Sequence, residues 1–223
     1  MIADNCLYLL FFRAITSCLP VSTTPNTDII FNKDGILKRI FDVILPQPIN
    51  QNLRYCVDVG AWDGRHLSNT FSLLVAPSTS QPDINLDNTS SSCAWKGILI
   101  EACSTRFQEL RSLHEPLKNI CVNTTVSSDP SSKDSLVSIL QREAAELPMD
   151  FDFLCVDVDG SDYWLLQEVF EHNYRPKVVC IEFNPTMPND LICTSPFNLF
   201  VKNAVISIEL YGFIKANMQV QVV

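Results

Sequence analysis

Acidic residues follow four short apolar runs of the sequence, and carboxylates placed in this way can bind hydroxyls, cations or protons. The runs are YCVDVGAWDG (55–64), GILIE (97–101), FLCVDVDG (153–160) and VVCIEFN (178–184). Buried parallel strands read as continuous apolar runs, and open parallel sheets bind ligands at the carboxyl ends of their strands. The four runs therefore predict that acidic residues at the ends of four strands lie together along the carboxyl edge of one sheet, which we call the rim.

The first run ends in a turn that contains glycine as well as acids. Gly60 and Gly64 allow the backbone to turn tightly and to approach a ligand closely. With only two glycines, the G-x-G-x-x-G pattern of a dinucleotide site is not formed. The turn favours a ligand with a ribose but no pyrophosphate, and the alternative is a turn that merely ends a strand.

The spacing to the second run places a candidate ribose ligand. In nucleotide-binding units a carboxylate that binds ribose hydroxyls lies about 20 residues after the glycine turn. Glu101 lies 43 positions after Asp58, and 27 remain when the Ser-, Asn- and Pro-rich segment 77–92, a predicted surface loop, is left out. Glu101 is therefore the expected ribose-binding residue.

A second group of acids lies on the third and fourth runs. Alternate residues of a strand face the same side, so Asp157 and Asp159 are expected to face the rim together. There they could remove a proton from a substrate, and one of these acids could instead cap the following helix. Glu182 and Asn184 repeat the spacing, and such hard oxygen ligands suit Mg²⁺ or Ca²⁺. A metal site and a metal-free role both remain open.

Two further residues of the first turn have alternative roles. His66 could act as a base, although a structural or solvent-facing role is favoured at this position. Trp62 could stack on a ligand or cover the edge of the sheet.

The elements that must position these residues alternate between strand and helix. Beyond the apolar runs, 120–126 has strand composition, and apolar residues at helical spacing predict helices over 34–44, 66–75, 105–113, 133–143 and 163–172. Strands alternating with helices form right-handed βαβ units. The predicted fold is α/β, a doubly wound Rossmann-like sheet with helices on both faces.

Length and composition limit the function classes. With 223 residues, 47% of them hydrophobic, the chain can form one domain over 34–223 with an arm over 1–33 that is partly disordered or helical. A net charge of −9 without a basic run disfavours nucleic acid and anionic membranes, and the apolar stretch 7–12 is too short to span a bilayer. The expected partner is a small molecule. Nine cysteines without C-x-x-C spacing indicate a reducing compartment such as the cytoplasm, with the secretory pathway as the alternative.

Several motifs, in the same order, resemble those of a known family. VDVGAWDGRHLSNT (57–70), GILIEA (97–102) with RFQEL (106–110), DFLCVDVDGSDYWLL (152–166) and RPKVVCIEFNP (175–185) look like successive motifs of the FkbM-like S-adenosylmethionine-dependent methyltransferases. DGILKRIF (34–41) resembles the helix that precedes the first motif there. The resemblance covers about residues 34–185.

The resemblance implies roles for individual residues. Those that would line the methionine end of the cofactor are Asp58, Gly60, Ala61, Asp63 and Gly64. Glu101 would hold the ribose hydroxyls, and Asn123 is a weaker candidate near the adenine, with strand-end capping as its alternative. The reaction implied is methyl transfer to an oxygen of a small-molecule or sugar-like acceptor, with Asp157 or Asp159 removing the proton or binding Mg²⁺.

The C-terminal region departs from this family pattern. Methyltransferases of this fold finish with a further helix and two strands, but 185–223 is a divergent tail in which only a helix over 197–212 and one strand over 218–223 are predicted. A missing last strand would leave a sheet edge that a second subunit could complete. Two alternatives therefore stay open, a non-catalytic or truncated cofactor-binding isoform and a nicotinamide-dependent oxidoreductase.

Overall fold

The computed structural model of the protein describes residues 6–13, 36–37, 40–45, 53–75, 94–183 and 219–222. The strands are β1 (Cys6–Arg13), β2 (Leu53–Val59), β3 (Ala94–Glu101), β4 (Ile120–Asn123), β5 (Phe153–Val156), β6 (Val178–Phe183) and β7 (Gln219–Val222). The α-helices are α1 (Phe71–Leu74), α2 (Ser104–His114), α3 (Leu136–Glu143) and α4 (Asp162–Glu171). A π-helical turn spans Ile40–Ile44, and a 3₁₀ turn spans Glu115–Leu117.

The strands form one seven-stranded sheet in the order β4-β3-β2-β5-β6-β1-β7, and each pairing in it is parallel. Its centre, β4-β3-β2-β5-β6, is the five-stranded parallel arrangement of a Rossmann-like α/β fold. In the register of the sheet Val59 lies beside Ile100 on β3 and Val156 on β5. The segments that follow these three strands therefore begin at the same edge, as the sequence predicted.

Apolar side chains cover both faces of the sheet. On one face Val57, Ile98 and Leu154 pack in a cluster with residues of α3 and α4. On the other, Leu99 and Phe153 pack in a second cluster with Leu37, Ile40 and Phe41 and with residues of α2. A parallel sheet buried on both faces needs strands that are apolar throughout, which is why β5 is buried over its whole length.

A buried ion pair joins the amino edge of the sheet to the π-helical turn. Arg54 donates to Asp152 Oδ1 at 3.0 Å and to the carbonyl oxygens of Phe41 and Leu45. Lys177 Nζ donates to the same carboxylate oxygen at 3.0 Å, and the Tyr55 backbone N–H donates to the other oxygen at 3.0 Å. The network ties β2, β5 and β6 together at the end opposite the predicted rim.

Two local predictions were wrong. Residues 6–13 lie in β1 rather than in a helical or disordered arm, and β1 occupies the position between β6 and β7. The run CLYLLFFR is rich in residues that favour strands, and pairing with two neighbours decides its conformation. The helix expected over 66–75 is confined to α1, because a hydrogen-bonded loop occupies the preceding residues.

Other predictions fall partly or wholly outside the described residues. The strand expected over 218–223 is confirmed as β7. The predicted surface loop 77–92 and the helix over 197–212 lie outside the described ranges. Among the residues that are described, no helix combines the length and the apolar character that crossing a membrane requires.

Candidate functional site

The turn after β2 contacts both β3 and the segment that follows β5. On the β3 side, Gly60 N and Ala61 N donate to the carbonyl oxygen of Ile100 at 3.0 and 3.1 Å. Gly60 has φ +86°, and a Cβ at this position would lie 1.9 Å from the carbonyl oxygen of Asp157. Glycine is therefore required here both by the backbone conformation and by the close approach of two strand ends.

Glu101 lies at the junction of β2 and β3 and is 6% exposed. Its Oε2 accepts the backbone N–H of Trp62 at 2.8 Å, and its Oε1 accepts that of Cys103 at 2.6 Å. Each carboxylate oxygen can accept more than one hydrogen bond. Glu101 is thus held by the turns on either side, and each of its oxygens retains capacity for a further hydrogen bond.

Asp58 is a buried carboxyl beneath the turn, with 3% of its surface exposed. Thr70 Oγ1 donates to its Oδ2 at 2.6 Å. Burial raises the pKa of Asp58 to about 6, the hydrogen bond from Thr70 opposes this rise, and the nearby Asp157 carboxylate adds to it. The structure thus keeps a carboxyl that titrates near neutral pH next to the glycine turn.

Asn69, the residue before Thr70, was not singled out from the sequence. Its Nδ2 donates to the Sγ of Cys155 at 3.1 Å, and its Oδ1 is buried without a hydrogen-bond partner in the described structure. No pattern in the sequence distinguishes this asparagine from a surface one.

The carboxylate of Asp63 accepts hydrogen bonds within the loop after β2 and is not directed into solvent. One oxygen accepts the backbone N–H groups of Arg65 and His66 at 2.9 and 2.8 Å, and the other contacts His66 Nδ1. Burial would raise the pKa of Asp63, but the hydrogen bonds from His66 and the backbone outweigh it and lower the pKa to about 2. The His66 side chain is 77% exposed, in agreement with the solvent-facing role that the sequence favoured.

His114 fixes the far side of the same loop and was also not predicted from the sequence. It is fully buried at the end of α2, and its Nε2 lies 2.8 Å from the carbonyl oxygen of Gly64. Asn119 Nδ2 lies 3.2 Å from its other ring nitrogen, and Asn119 Oδ1 accepts the Gly97 N–H at 2.8 Å. Burial lowers the pKa of His114, so the neutral ring donates to Gly64 and accepts from Asn119.

Asp157 and Asp159 are both exposed after the end of β5, but not as alternate residues of a strand. β5 ends at Val156, and Asp159 has φ +55°, so the expected alternation does not extend to these residues. The buried Asp162 shapes the turn instead, because its carboxylate accepts the N–H groups of Val158 and Gly160 at 3.2 and 2.9 Å. Burial outweighs these bonds and raises the pKa of Asp162 to about 6. Asp162 is thus the acid that caps this turn.

The predicted metal ligands are only partly described. Within the described ranges, no group of three or more His, Cys, Asp or Glu residues is arranged to hold a metal ion. Asn184 and the side chain of Glu182 lie outside those ranges. The metal site formed by Asp157, Asp159, Glu182 and Asn184 stays a prediction.

Asn123 pairs in register with Glu101 at the end of β4. Its Nδ2 donates to the carbonyl oxygens of Glu101 and Ala102 at 2.7 and 3.3 Å, and its Oδ1 accepts from Ser104 at 3.1 Å. These bonds support the alternative that Asn123 secures a strand end.

The structure brings most of the predicted cofactor residues to one edge of the sheet. Asp58, Gly60 and Ala61 lie on β2 and its turn, Glu101 adjoins them through Trp62, and Asp157 adjoins them through the contact with Gly60. At this edge the carboxylates of Asp157 and Asp159 and the indole of Trp62 are exposed, whereas the backbone N–H groups of Gly60, Ala61 and Trp62 are used within the protein. Comparison of the sequence with models of protein families and with curated proteins gives no match.

Proposed function

We propose that the protein binds S-adenosylmethionine at the carboxyl edge of the sheet and transfers its methyl group to an oxygen of a small-molecule acceptor. The observation that carries this proposal is the position of Glu101. Its carboxylate joins the glycine turn after β2 to the turn after β3 and retains acceptor capacity for two hydroxyls. A ribose presents two adjacent hydroxyls, and a charged acceptor makes strong hydrogen bonds to them.

The residues of this rim fit a nucleoside that lacks a pyrophosphate. Gly60 and Gly64 have φ +86° and +73°, so the turn is tight, but a third glycine for the approach of a pyrophosphate is missing. The buried Asp58 and the exposed Asp157 give the adjoining surface a negative character that suits the cationic sulfonium and ammonium groups of S-adenosylmethionine.

The bound cofactor would supply an electrophilic methyl group on sulfur. The protein then has to align the acceptor oxygen with this group, exclude water and take up the proton of the acceptor hydroxyl. Asp157 and Asp159 are exposed carboxylates at this edge and are the proposed proton acceptors. If Mg²⁺ takes part, its proposed ligands are Asp157 and Asp159 together with Glu182 and Asn184.

Isothermal titration with S-adenosylhomocysteine tests the cofactor site, and NAD serves as the competing ligand. We expect binding of S-adenosylhomocysteine and a loss of affinity of about 10- to 100-fold in Glu101→Gln, because one or more hydrogen bonds to a charged group are lost. Glu115→Gln is the matched control, since Glu115 is an exposed carboxylate paired with Arg111 away from the rim.

Three results would lead to different conclusions. Absence of binding by the wild-type protein refutes the proposal. Binding of NAD but not of S-adenosylhomocysteine points to an oxidoreductase. Tight cofactor binding without methyl transfer to a broad set of acceptors points to a non-catalytic binding protein.

A further inference from the structure

A buried histidine at the end of α2 supports the loop that follows β2. The side chain of His114 is fully buried. Its Nε2 lies 2.8 Å from the carbonyl oxygen of Gly64, and a Cβ on Gly64 would lie 2.6 Å from the imidazole ring. The ring therefore contacts the loop directly at Gly64.

The backbone of Gly97 on β3 determines which nitrogen of His114 carries the hydrogen. A backbone N–H can only donate, so Asn119 Oδ1, at 2.8 Å from Gly97 N, is the acceptor, and this fixes the orientation of the Asn119 amide. Asn119 Nδ2 then donates to the His114 Nδ1 at 3.2 Å. Nδ1 is therefore an acceptor, and Nε2 carries the hydrogen that binds Gly64.

The part of the loop that His114 holds is also held by Glu101. The Gly64 N–H donates to the carbonyl oxygen of Ala61 at 2.9 Å and closes a four-residue turn, which we call the Gly64 turn. Within this turn the Trp62 N–H donates to Glu101 Oε2 at 2.8 Å. Loss of the His114 contact would therefore free one side of a turn whose other side is bound to the proposed ribose ligand.

The ionisable groups of the loop have partners other than His114. The Asp63 carboxylate accepts backbone N–H groups at 2.9 and 2.8 Å and contacts the ring of His66. Arg65 and His66 are exposed. The loop thus presents to His114 the uncharged carbonyl of Gly64.

The ionisable groups of the helix end and the next strand are also engaged or exposed. Arg111 donates to Glu115 at 2.8 Å, and both are exposed, as is Lys118. On β4, burial raises the pKa of the Cys121 thiol to about 11, so this thiol is neutral near pH 7. Both ring nitrogens of His114 therefore contact uncharged groups.

A second proton on the ring conflicts with this arrangement. It would sit on Nδ1, opposite the N–H of Asn119, and the amide cannot rotate to accept it without turning its own donors towards Gly97. A buried cation without an acceptor is costly. Burial lowers the pKa of His114 below 6.5, although the bond to Gly64 opposes this. Release of the turn would restore the ordinary pKa, so release takes up a proton and acid favours it.

We propose that His114 is a positioning residue for the cofactor site, whose neutral ring holds the Gly64 turn and whose protonated ring releases it. The effect on cofactor binding rests on the proposed function, whereas release of the turn does not. Between pH 8 and pH 5.5 the ratio of released to held turn should rise by up to about tenfold, since pH 5.5 lies one unit below the ordinary pKa of histidine. The affinity for S-adenosylhomocysteine falls as the released turn becomes populated.

Amide hydrogen exchange measures the release in the free protein. The Gly64 N–H is bonded within the turn, so its protection reports whether the turn is held. After correction for the pH dependence of chemical exchange, we expect this protection to fall by up to about tenfold from pH 8 to pH 5.5. The Ala144 N–H, bonded to Leu140 at the end of α3, is the reference and should keep its protection. Isothermal titration with S-adenosylhomocysteine at both pH values measures the effect on the site.

Two variants separate His114 from other groups that titrate in this range. His114→Gln keeps a side-chain N–H for Gly64 but takes up no proton, so we expect it to lose the pH dependence. Asn119→Asp replaces the fixed donor with a carboxylate that can accept from the protonated ring, and it should hold the turn at pH 5.5. His172→Gln is the control, because His172 lies at the end of α4 and bonds to its own helix. Each variant is compared with its own value at pH 8, and thermal unfolding shows that it is folded.

The outcomes distinguish the inference from the proposed function. Equal pH dependence in wild type and His114→Gln would assign the effect to Asp58 or His66 and overturn the inference. Constant Gly64 protection in wild type would also overturn it, as would release at pH 5.5 in Asn119→Asp to the same extent as in wild type. Release of the turn with unchanged S-adenosylhomocysteine affinity would overturn its control of the site. If wild type binds no S-adenosylhomocysteine, the proposed function fails, and hydrogen exchange still decides whether His114 releases the turn.

Discussion

The acids of the rim divide into buried carboxyls that shape the turns and exposed carboxylates that can meet a ligand. Asp63 and Asp162 accept backbone N–H groups and hold the loops after β2 and β5. Asp157 and Asp159 are exposed at the same edge. Glu101 is buried like the first group and holds two turns, but each of its oxygens accepts one backbone N–H and retains further acceptor capacity. Acidic residue type alone does not distinguish these roles, whereas burial and hydrogen bonding do.

Asp58 should make stability depend on pH in the direction opposite to that of Asp63, because folding raises the pKa of Asp58 and lowers that of Asp63. The pKa of Asp58 is raised from 3.8 to about 6 in the folded state. Between pH 3.8 and pH 6 the folded protein therefore keeps a proton that the unfolded chain releases. The free energy of unfolding gained from Asp58 is fully present below pH 3.8 and is lost as the pH rises through 6. The shift corresponds to about 3 kcal/mol.

Asp58→Asn tests this linkage, because the amide oxygen can still accept from Thr70 but cannot ionise. We expect the stability of the variant relative to wild type to rise by up to about 3 kcal/mol between pH 4 and pH 8. Urea unfolding at both pH values gives the difference. Asp150→Asn, at an exposed position, is the control. A difference that does not change with pH would contradict the raised pKa.

The exposed pair Asp157 and Asp159 should contribute to turnover rather than to cofactor affinity. If one of them takes up the acceptor proton, its substitution by Asn should lower kcat by about 100-fold or more and leave the affinity for S-adenosylhomocysteine within a few-fold. Steady-state kinetics and titration calorimetry measure the two effects. Asp129→Asn, at an exposed position outside the rim, is the control. Unchanged kcat in both Asp157→Asn and Asp159→Asn would exclude them as the proton acceptors.

At the scale of elements, the two ends of the sheet are organised differently. At the carboxyl edge the turns are held mainly by backbone hydrogen bonds and by single carboxylates. At the amino edge the guanidinium of Arg54 lies 5.0 and 5.7 Å from the rings of Phe41 and Trp95 and pairs with Asp152. The amino edge is therefore the better place to measure how strongly the π-helical turn Ile40–Ile44 is held to the sheet.

Removal of the Arg54 charge should destabilise the fold strongly. Arg54→Met leaves the buried Asp152 with Lys177 as its remaining charged partner, and breaking a buried pair costs about 3–5 kcal/mol. We expect a loss near the lower end, because Lys177 compensates in part. Urea unfolding measures it, with Arg142→Met at an exposed ion pair as the control. In Arg54→Met/Asp152→Asn the loss should be smaller than the sum of the two single losses, and strict additivity would show that the pair is not coupled.

For the whole molecule, the sequence predicted the strands, helices and turns that local residue patterns encode. Apolar runs and helical spacing identified β2–β6 and α2–α4, and the glycine turn and the spacing of the acids placed Gly60 and Glu101 at one edge of the sheet. The position of β1 depends on pairing with β6 and β7, which are distant in sequence, and a short apolar run does not encode its partners. His114 and Asn69 could not be predicted either, since their contacts with Gly64 and Cys155 arise only when distant segments pack together.

The position of β1 within the sheet leads to a prediction about oligomeric state. Because β1 pairs with both β6 and β7, the strand beside β6 is supplied by the same chain. Leu9 lies in register with Val179 on β6 and Val222 on β7. Proline inside a sheet removes a ladder hydrogen bond and is tolerated mainly at edges.

Leu9→Pro should therefore detach β1 and expose the edge of β6. We expect a loss of at least about 2 kcal/mol in the free energy of unfolding and a new tendency to self-associate through the open edge. Urea unfolding and sedimentation velocity measure the two effects, and Leu9→Val, which retains strand propensity and the backbone N–H, is the control. If Leu9→Pro is as stable and sediments with the same mass as Leu9→Val, then β1 does not complete the sheet and the edge beside β6 is closed in some other way.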